Sequence, residues 1–540
     1  MSPDASPPFS AELIERARDT RVVVVGGGIA GLVAAWECAR IGMDVTVLEA
    51  SSRVGGAIRT AEVGGLTLDV GAESYATRGG HVRRLIDELG LGAEVVAPSG
   101  GRAWLGGIPG VPGGAAPLPA GGVLGIPANP FDPDVRRIIG WSGAWRAYLD
   151  RLRPVLTIGH THSLGSLVST RMGSRVLDRL VAPVVQGVYS ARPADIDVDL
   201  AAPGLNAALT RTGSLSGAVS VLSAERATKA PGGAVEGIRG GMQRIVDALL
   251  ARLDELGVTV LTEAPATALR RNADGWQVDI EGTLGGGTGT LAPGTGTVAP
   301  GMGTLAAEAV IVATEERMAR ALLHPSVPAL DAGAREAPTG TYTPTGTYAP
   351  TGTDAPGASG ASPGVAPEIE VVSLVLDAPA LDAAPRGSGV LTVPGSYTAK
   401  ALTHATAKWA WLAEAARALA PHRHVVRVSF GSQGEPAATA GLTDEDAAAL
   451  ALTEASALLG VPLDSSQLVG AHRERYTQSQ PASVIGREAQ TAAARAHIAA
   501  MPGLGIVGAW VSGTGLAQVV PDALTESERV RTALLWDRGP

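Results

Sequence analysis

Cysteine is nearly absent: Cys38 is the single one in 540 residues. One thiol excludes an intrachain disulfide framework and any cysteine-ligated zinc or iron–sulfur centre. It falls in an apolar helical pattern, where a small buried thiol is expected rather than a reactive one. Charged residues are sparse at 18%, and 43 lysines and arginines face 52 acids for a net charge of −9. That balance offers no basic footprint to a phosphate backbone, so nucleic acid is not an expected partner. No apolar run reaches the roughly 18 residues that suggest a bilayer span. The longest, residues 22–36, is interrupted by three consecutive glycines. The first 20 residues lack a basic flank followed by an apolar stretch, so the expected location is the cytoplasm, with peripheral membrane contact left open. The pairs His160/His162 and His422/His424 lack an evident third ligand in sequence and read as polar surface or strand positions, so no metal is expected.

What the chain does have is apolar content of 45% and 71 glycines. This is more core than one domain normally encloses, and at least two domains are expected. Two stretches stand apart in composition. Across 282–304 the units GTLGGGT, GTLAPGT and GTVAPGM follow one another, and across 338–356, within a low-complexity stretch 333–366, PTGTYT, PTGTYA and PTGTDA do so. Too few large apolar groups offset the ordering entropy, so both read as flexible surface insertions between regular segments. Elsewhere strand and helix patterns alternate: strand, helix, strand over 21–49, mostly helix with caps such as Ser163 and Ser174 over 135–199, an amphipathic helix over 241–256, and period-two strands from 369. The expected fold class is a mixture of α/β and α+β.

The chemistry-bearing motif lies near the start, in VVVVGGGIAGLVAAWECARIGMDVTVLEASSRVGGAIRT (22–60). A β-branched run leads into Gly26-x-Gly28-x-x-Gly31 at a helix start. The first glycine makes the tight turn, the second admits a pyrophosphate to the backbone, and the third lets helix pack on strand. DVTVLE follows as a second strand ending at Glu49, where a carboxylate accepts from ribose hydroxyls and repels a 2′-phosphate, which disfavours NADP. Arg53-x-Gly55-Gly56, then Arg59 and Thr60, form a second glycine turn.

That second turn resembles the extension with which flavoproteins of the amine oxidase and porphyrinogen oxidase superfamily hold FAD. AEAVIVATEE (307–316) and GLGIVGAWVSGTGLAQVV (503–520) resemble its middle and closing elements, the latter facing the flavin ring. LDVGAESYATR (68–78), the long segment 163–198, GGMQRIVDAL, KALTHATAKWAW and RYTQSQPASVIG are similar, in order, to the oxygen-dependent protoporphyrinogen/coproporphyrinogen oxidase family, and cover most of the chain outside the two insertions. The resemblance implies a Rossmann-like FAD domain in three parts (21–100, 226–325 and 471–540), preceded by a tail (1–20). A mostly helical domain (101–225) and a substrate-binding β-sheet domain (326–470) would be inserted into it. It implies FAD contacts at Gly26, Gly28, Ile29, Ala30 and Gly31; at Glu49, Ala50, Arg53, Gly55, Gly56, Ala57 and Arg59; at Gly71, Ala72, Glu73 and Ser74; at Ala264, Ala313 and Thr314; and at Gly508, Gly513, Gly515, Leu516 and Ala517.

The family removes six electrons from a porphyrinogen in three hydride transfers to flavin, with oxygen as acceptor and peroxide as product. Such a substrate asks for a wide apolar slot with a few cations at its mouth. Arg102 matches the family arginine held to bind a propionate, with Arg78 a further candidate. Flavin carries the reaction, so no catalytic base is assigned. Trp409 and Trp411 are expected in the core or an interface rather than on substrate. Departures from the family pattern stand at Ala57, Tyr476, Arg487, Ala517 and Gln518, and bear on flavin contact and substrate rim. Arginine-dominated cations fit the Gram-positive type, whose members resemble coproporphyrinogen III oxidases, and that substrate is chosen over protoporphyrinogen IX. A flavin amine oxidase or desaturase and a non-catalytic escort protein on the same scaffold stay open, as do hand-over of product to a downstream haem-pathway enzyme and the oligomeric state.

Overall fold

A valine run without polar alternation calls for a strand buried on both faces. In the computed structural model Arg21–Val25 lies inside a six-stranded sheet whose pairings are all parallel. The structure describes residues 8–154, 161–229, 235–283, 294–297, 299–324, 326–327, 368–477 and 483–536. Beside Arg21–Val25 stand Asp44–Leu48, Thr259–Thr262 and Gly294–Thr297 on one side, and Ala309–Val312 and Leu504–Ile506 on the other. The two-residue period of a strand sends Val22 and Val24 into one core and Val23 and Val25 into another. The first core holds the helix Ile29–Ala39, apolar almost all round, packed against Gln243–Glu255 and Leu516–Trp536. Cys38 lies there fully buried, its thiol pushed up to about 12 by that burial. The second core is closed by a three-stranded antiparallel sheet, Ala266–Asn272, Gly275–Thr283 and Ala299–Ala307. Strands from the beginning, middle and end of the chain thus share one sheet, and the other elements are inserted between them.

Those elements form a seven-stranded mixed sheet and a helical unit. The sheet runs Leu468–Thr477, Glu368–Asp377, Arg423–Phe430, Ala401–His404, Gly389–Thr392, Trp104–Gly106, Ala115–Pro117. One face packs on the helix Asp444–Leu459. The other meets the hairpin Thr60–Val63/Leu66–Asp69 and the helix Ala410–Leu419, where Trp409 is buried and Trp411 partly so. The helical unit gathers Pro133–Tyr148, Leu164–Met172, Ala182–Tyr189, Leu205–Thr212 and Leu215–Lys229 about a separate core.

Some sequence expectations change. Part of the GTL/GTV repeat is strand: Gly294–Thr297 pairs in parallel with Thr259–Thr262, and Ala299–Ala307 pairs with Gly275–Thr283. A ladder at a sheet edge is made by backbone N–H and C=O groups and needs no large side chains, which composition cannot reveal. Residues 284–293 and the whole stretch 333–366 lie outside the described residues. Trp104–Gly106 and Ala115–Pro117, within the mostly helical domain 101–225 that the resemblance implies, extend the seven-stranded sheet, as does Leu468–Thr477. Ser163 caps Leu164–Met172 through the Ser166 amide, but Gly173, not Ser174, stands at the next helix start.

Candidate functional site

Five turns leave the carboxyl ends of the parallel strands on one edge of the sheet, where open α/β sheets bind ligands. They carry Gly26 and Gly28, Glu49, Ala264, Ala313 and Thr314, and Gly508. Gly26 has φ 111°, and a Cβ on it would stand 2.7 Å from the Ala313 carbonyl oxygen. On Gly31 a Cβ would stand 1.9 Å from Gly26 O, so only glycine lets the helix close on the turn. Gly28 differs: its Cβ would meet nothing nearer than Gly56 Cα at 3.9 Å, and the space above it is open. The amides of Ile29, Ala30 and Gly31 precede the first helical bond, Leu32 N–H to Gly28 O, and present the donors of a helix N-terminus. The second glycine turn lies on the first, with Gly55 N–H donating to Gly27 O and a parallel bridge joining Gly28 and Gly55.

Glu49 is held in place by three donors, the Gly27 and Ser51 amides at 2.8 Å each and Ser51 Oγ at 2.7 Å. Its carbonyl accepts from Ala264 N–H, so buried Ala264 supports Glu49 through its own backbone. Ala50, Arg53 and Ala57 are exposed, and Arg53 Nη1 donates to Thr60 O. Gly71 and Ala72 pack under the second turn, where a Cβ on Gly71 would stand 2.0 Å from Ala57 O and Ala72 N–H donates to that same oxygen. The edge is closed by Gly513 (φ 98°) and Gly515 (φ 99°, with open space at its Cβ position), which start the helix of Leu516 and Ala517.

Charge is concentrated where this edge meets the seven-stranded sheet. Glu73 bonds both Lys408 Nζ and Arg427 Nη1, at 2.5 and 2.8 Å, and Arg427 Nη2 also donates to the Val70 and Gly71 carbonyls. Burial alone would raise the Glu73 carboxyl; Lys408 and Arg427 outweigh it and hold it down at about 2. Ser74 lies half-buried in the next position. Arg59 Nε donates to Gly56 O and its Nη1 to Glu474, on the sheet's outer strand. Tyr476, two residues on, has its phenol raised by burial, with Arg427 opposing and Glu474 and Glu73 adding to the rise. Arg487, buried, forks onto both oxygens of Glu316 and onto the Trp510 carbonyl, tying the closing segment to the helix after Thr314. Spacing gave no sign of Lys408, Arg427 or Glu474, and Arg487 stood out only as a departure from the family pattern. A charge within the apolar strand HVVRVSF was the one signal for Arg427.

The two arginines expected at substrate lie apart from these pairs. Arg102 is half-exposed and donates to Leu118 O and Asp134. Arg78 is exposed on the surface. His162 is joined by Asp197 and Asp199, with ligand atoms within 4.8 Å of one another, so third-ligand types absent in sequence are supplied by the fold. One Asp197 oxygen, however, already caps the helix Val198–Ala201. His422 and His424 both bond Asp382; His160 lies outside the described residues. Among the described residues no helix is long and apolar enough to cross a membrane.

A glycine cradle on the carboxyl edge of a parallel sheet, extended by a second glycine turn and closed by a third, defines a dinucleotide-dependent oxidoreductase. The open positions at Gly28 and Gly515 leave room over the backbone, and the first-turn amides supply the donors that a diphosphate takes. The chain belongs to the flavin containing amine oxidoreductase family, whose model matches residues 29–531, and is an FAD-dependent oxidase. It is similar to the coproporphyrinogen III oxidases of Mycobacterium tuberculosis (strain ATCC 25618 / H37Rv), 29% identical across 92% of this chain and 94% of the relative, and Mycobacterium leprae (strain TN), 28% identical across 95% and 97%. Among solved structures it resembles a candidate protoporphyrinogen oxidase from Exiguobacterium sp. 255-15 (TM-score 0.72, 22% identity, 95% and 98% of the chains). Cyclohexylamine oxidase from Brevibacterium oxydans IH-35A is more distant (TM-score 0.57, 14% identity, 96% and 98%). At these identities the solved structures speak to the fold.

Proposed function

We propose that this chain oxidises coproporphyrinogen III to coproporphyrin III, with oxygen as the final acceptor. The observation that carries the reading is the extent of the likeness: relatives named for this reaction match 92% and 95% of the chain, through the helical unit and the seven-stranded sheet as well as the cradle. Bound FAD supplies a two-electron acceptor that oxygen restores, so six electrons leave in three rounds with three molecules of peroxide. The chain's own part is placement. Ile29, Ala30 and Gly31 offer donors to the diphosphate, Glu49 offers a carboxylate to the ribose, and Gly513 to Ala517 line the ring. The Glu73–Lys408–Arg427 and Arg59–Glu474 pairs hold the substrate sheet against that edge. Arg102 and Arg78 are the proposed partners of rim propionates, and hand-over of the porphyrin to a downstream haem-pathway enzyme completes the reading.

The helical unit also presents Trp141 and Trp145, 60% and 56% exposed, clustered with Phe131 and Tyr148. Arg136 stacks on Trp141 and Arg151 on Tyr148. Interfacial aromatics beside arginines support peripheral contact with an anionic bilayer surface. Binding to phosphatidylglycerol vesicles that disappears in Trp141→Ala/Trp145→Ala checks this, and equal sedimentation of the variant counts against it.

The reaction itself is tested anaerobically. Coproporphyrinogen III is expected to bleach the flavin faster than protoporphyrinogen IX, with porphyrin fluorescence growing on admission of air. Bleaching by putrescine alone would overturn the reading in favour of an amine oxidase. A purified protein without flavin absorbance would overturn it in favour of an escort protein.

A further inference from the structure

Lysine is seldom buried without an acid to pair with, yet Lys400 is 9% exposed and no carboxylate among the described residues forms an ion pair with it. It sits in a cavity of about 360 Å³ between the helical unit and one end of the seven-stranded sheet. Its Nζ donates to Ser190 Oγ at 2.6 Å. An ammonium group carries three hydrogens, and the other two have no acceptor among the described residues. Burial lowers Lys400 to about 8, so at neutral pH the group is still mostly charged. Ser190 is held at φ 52°, and its carbonyl accepts from Gln433 N–H, so both walls of the cavity converge on this serine. The Gln433 side-chain oxygen, in the same cavity, is buried without a donor. Turning that amide over places its NH2, a donor, at the same buried point instead. The rim carries one charge of each sign: Arg192, paired with Asp195, and Glu435, bonded by Ser432 Oγ.

We propose that this cavity is a carboxylate subsite in which Lys400 anchors one propionate arm of the substrate. The inference rests on the porphyrinogen reading above. Position supports it: Lys400 N–H donates to Ser429 O, two residues along the strand from Arg427, whose guanidinium touches Gly71 and Glu73 at the cofactor edge. The backbone of Lys400 is thus bonded, about 7 Å of strand from Arg427, to the same strand that carries Arg427 to the cofactor edge. The volume is small for a tetrapyrrole and suited to one acid-bearing arm. An acid that enters satisfies the two idle hydrogens of Lys400 and brings the paired counter-charge that no carboxylate among the described residues supplies. Of the four such arms on a coproporphyrinogen two are vinyls in a protoporphyrinogen, so the subsite decides substrate choice when the arm it takes is one of those two.

The test uses the FAD-loaded enzyme. Lys400→Met is expected to raise KM for coproporphyrinogen III tenfold or more, with kcat within twofold, and Lys400→Arg to restore most of the loss. In parallel, quenching of coproporphyrin III fluorescence is compared with that of its tetramethyl ester. The wild-type enzyme is expected to bind the acid at least tenfold better, and Lys400→Met to erase that preference. Glu435→Gln, at the exposed rim, is expected to tighten acid binding, which keeps the proposal testable if Lys400→Met fails to hold FAD. An unchanged preference in Lys400→Met, or weaker acid binding in Glu435→Gln, overturns the subsite. If the wild-type enzyme oxidises no porphyrinogen, the functional reading falls while the acid-against-ester comparison still decides the subsite, and equal binding of both ligands rejects it.

Discussion

Replacing Glu73 with glutamine keeps the shape of the side chain and removes its charge, so the loss reads the worth of the Lys408–Glu73–Arg427 contacts. In the folded protein the Glu73 carboxyl lies at about 2 against an ordinary 4.5. A depressed acid contributes stability that is complete above the unfolded value and lost as pH falls through the folded one. Across that interval the carboxylate is worth about 3 kcal/mol at neutral pH, at roughly 1.36 kcal/mol per unit. The side chain is 14% exposed, so solvent screening takes little from that figure. By pH 3 the same linkage removes about 2 kcal/mol of it. Urea unfolding of wild type and Glu73→Gln, both saturated with FAD, is to be compared at a series of pH values. Asp69, which burial raises to about 6, titrates in both proteins and largely drops out of the difference. The expected gap is about 3 kcal/mol above pH 5, narrowing to about 1 kcal/mol near pH 3. A gap of the same size at both ends would show that geometry, not charge, is lost. No gap at all would remove the triad as the link between cradle and sheet.

The glycine turn makes a paired prediction. Gly28→Ala adds a methyl that meets no protein atom nearer than 3.9 Å, so the apoprotein should fold with unchanged circular dichroism while FAD content, read from absorbance, drops at least tenfold; undiminished flavin would show that the diphosphate does not lie there. Gly31→Ala puts its methyl 1.9 Å from Gly26 O and should destabilise the apoprotein itself by about 1–3 kcal/mol, the usual cost of overpacking. Arg487→Met leaves Glu316 with Arg320 alone and the Trp510 carbonyl without its donor; it should cost about 3 kcal/mol and lower the temperature at which flavin fluorescence appears on heating, and a release temperature equal to that of wild type would refute its role as a strut.

How far the sequence could be read follows from how far apart the interacting residues lie. Gly26, Gly28 and Gly31 act within one turn, and Glu49 within the strand after it, so their spacing carries their geometry. The side-chain contacts that tie distant segments together join residues 335 and 354 positions apart at Glu73, 171 apart at Arg487 and 210 apart at Lys400. No periodicity reports a pairing that exists only after two units have packed. Glu73 shows the consequence: its segment was legible as a cofactor element, while the task of its side chain was not, because Lys408 and Arg427 arrive from another sheet. The glycine–threonine repeat fails for the opposite reason. Its composition argued for a loop, yet an edge strand asks only for backbone donors and acceptors, and Gly294–Thr297 supplies them to Thr259–Thr262.

The positions at which the sequence departs from the family pattern gain meaning from the same packing. Arg487 looked like a loss at the flavin rim, but it spans Glu316 and the Trp510 carbonyl and so braces two of the turns that face the cofactor edge. Tyr476 sits by Arg427, Glu474 and Glu73, where its phenol brings a polar tip to the charged cluster. Neither change touches the glycines of the cradle. Both lie beside the cofactor edge, while the other departures, Ala57, Ala517 and Gln518, stand in the second glycine turn and at the start of the closing helix. Side chains can vary there without altering the first-turn amides of Ile29, Ala30 and Gly31, because those donors belong to the backbone.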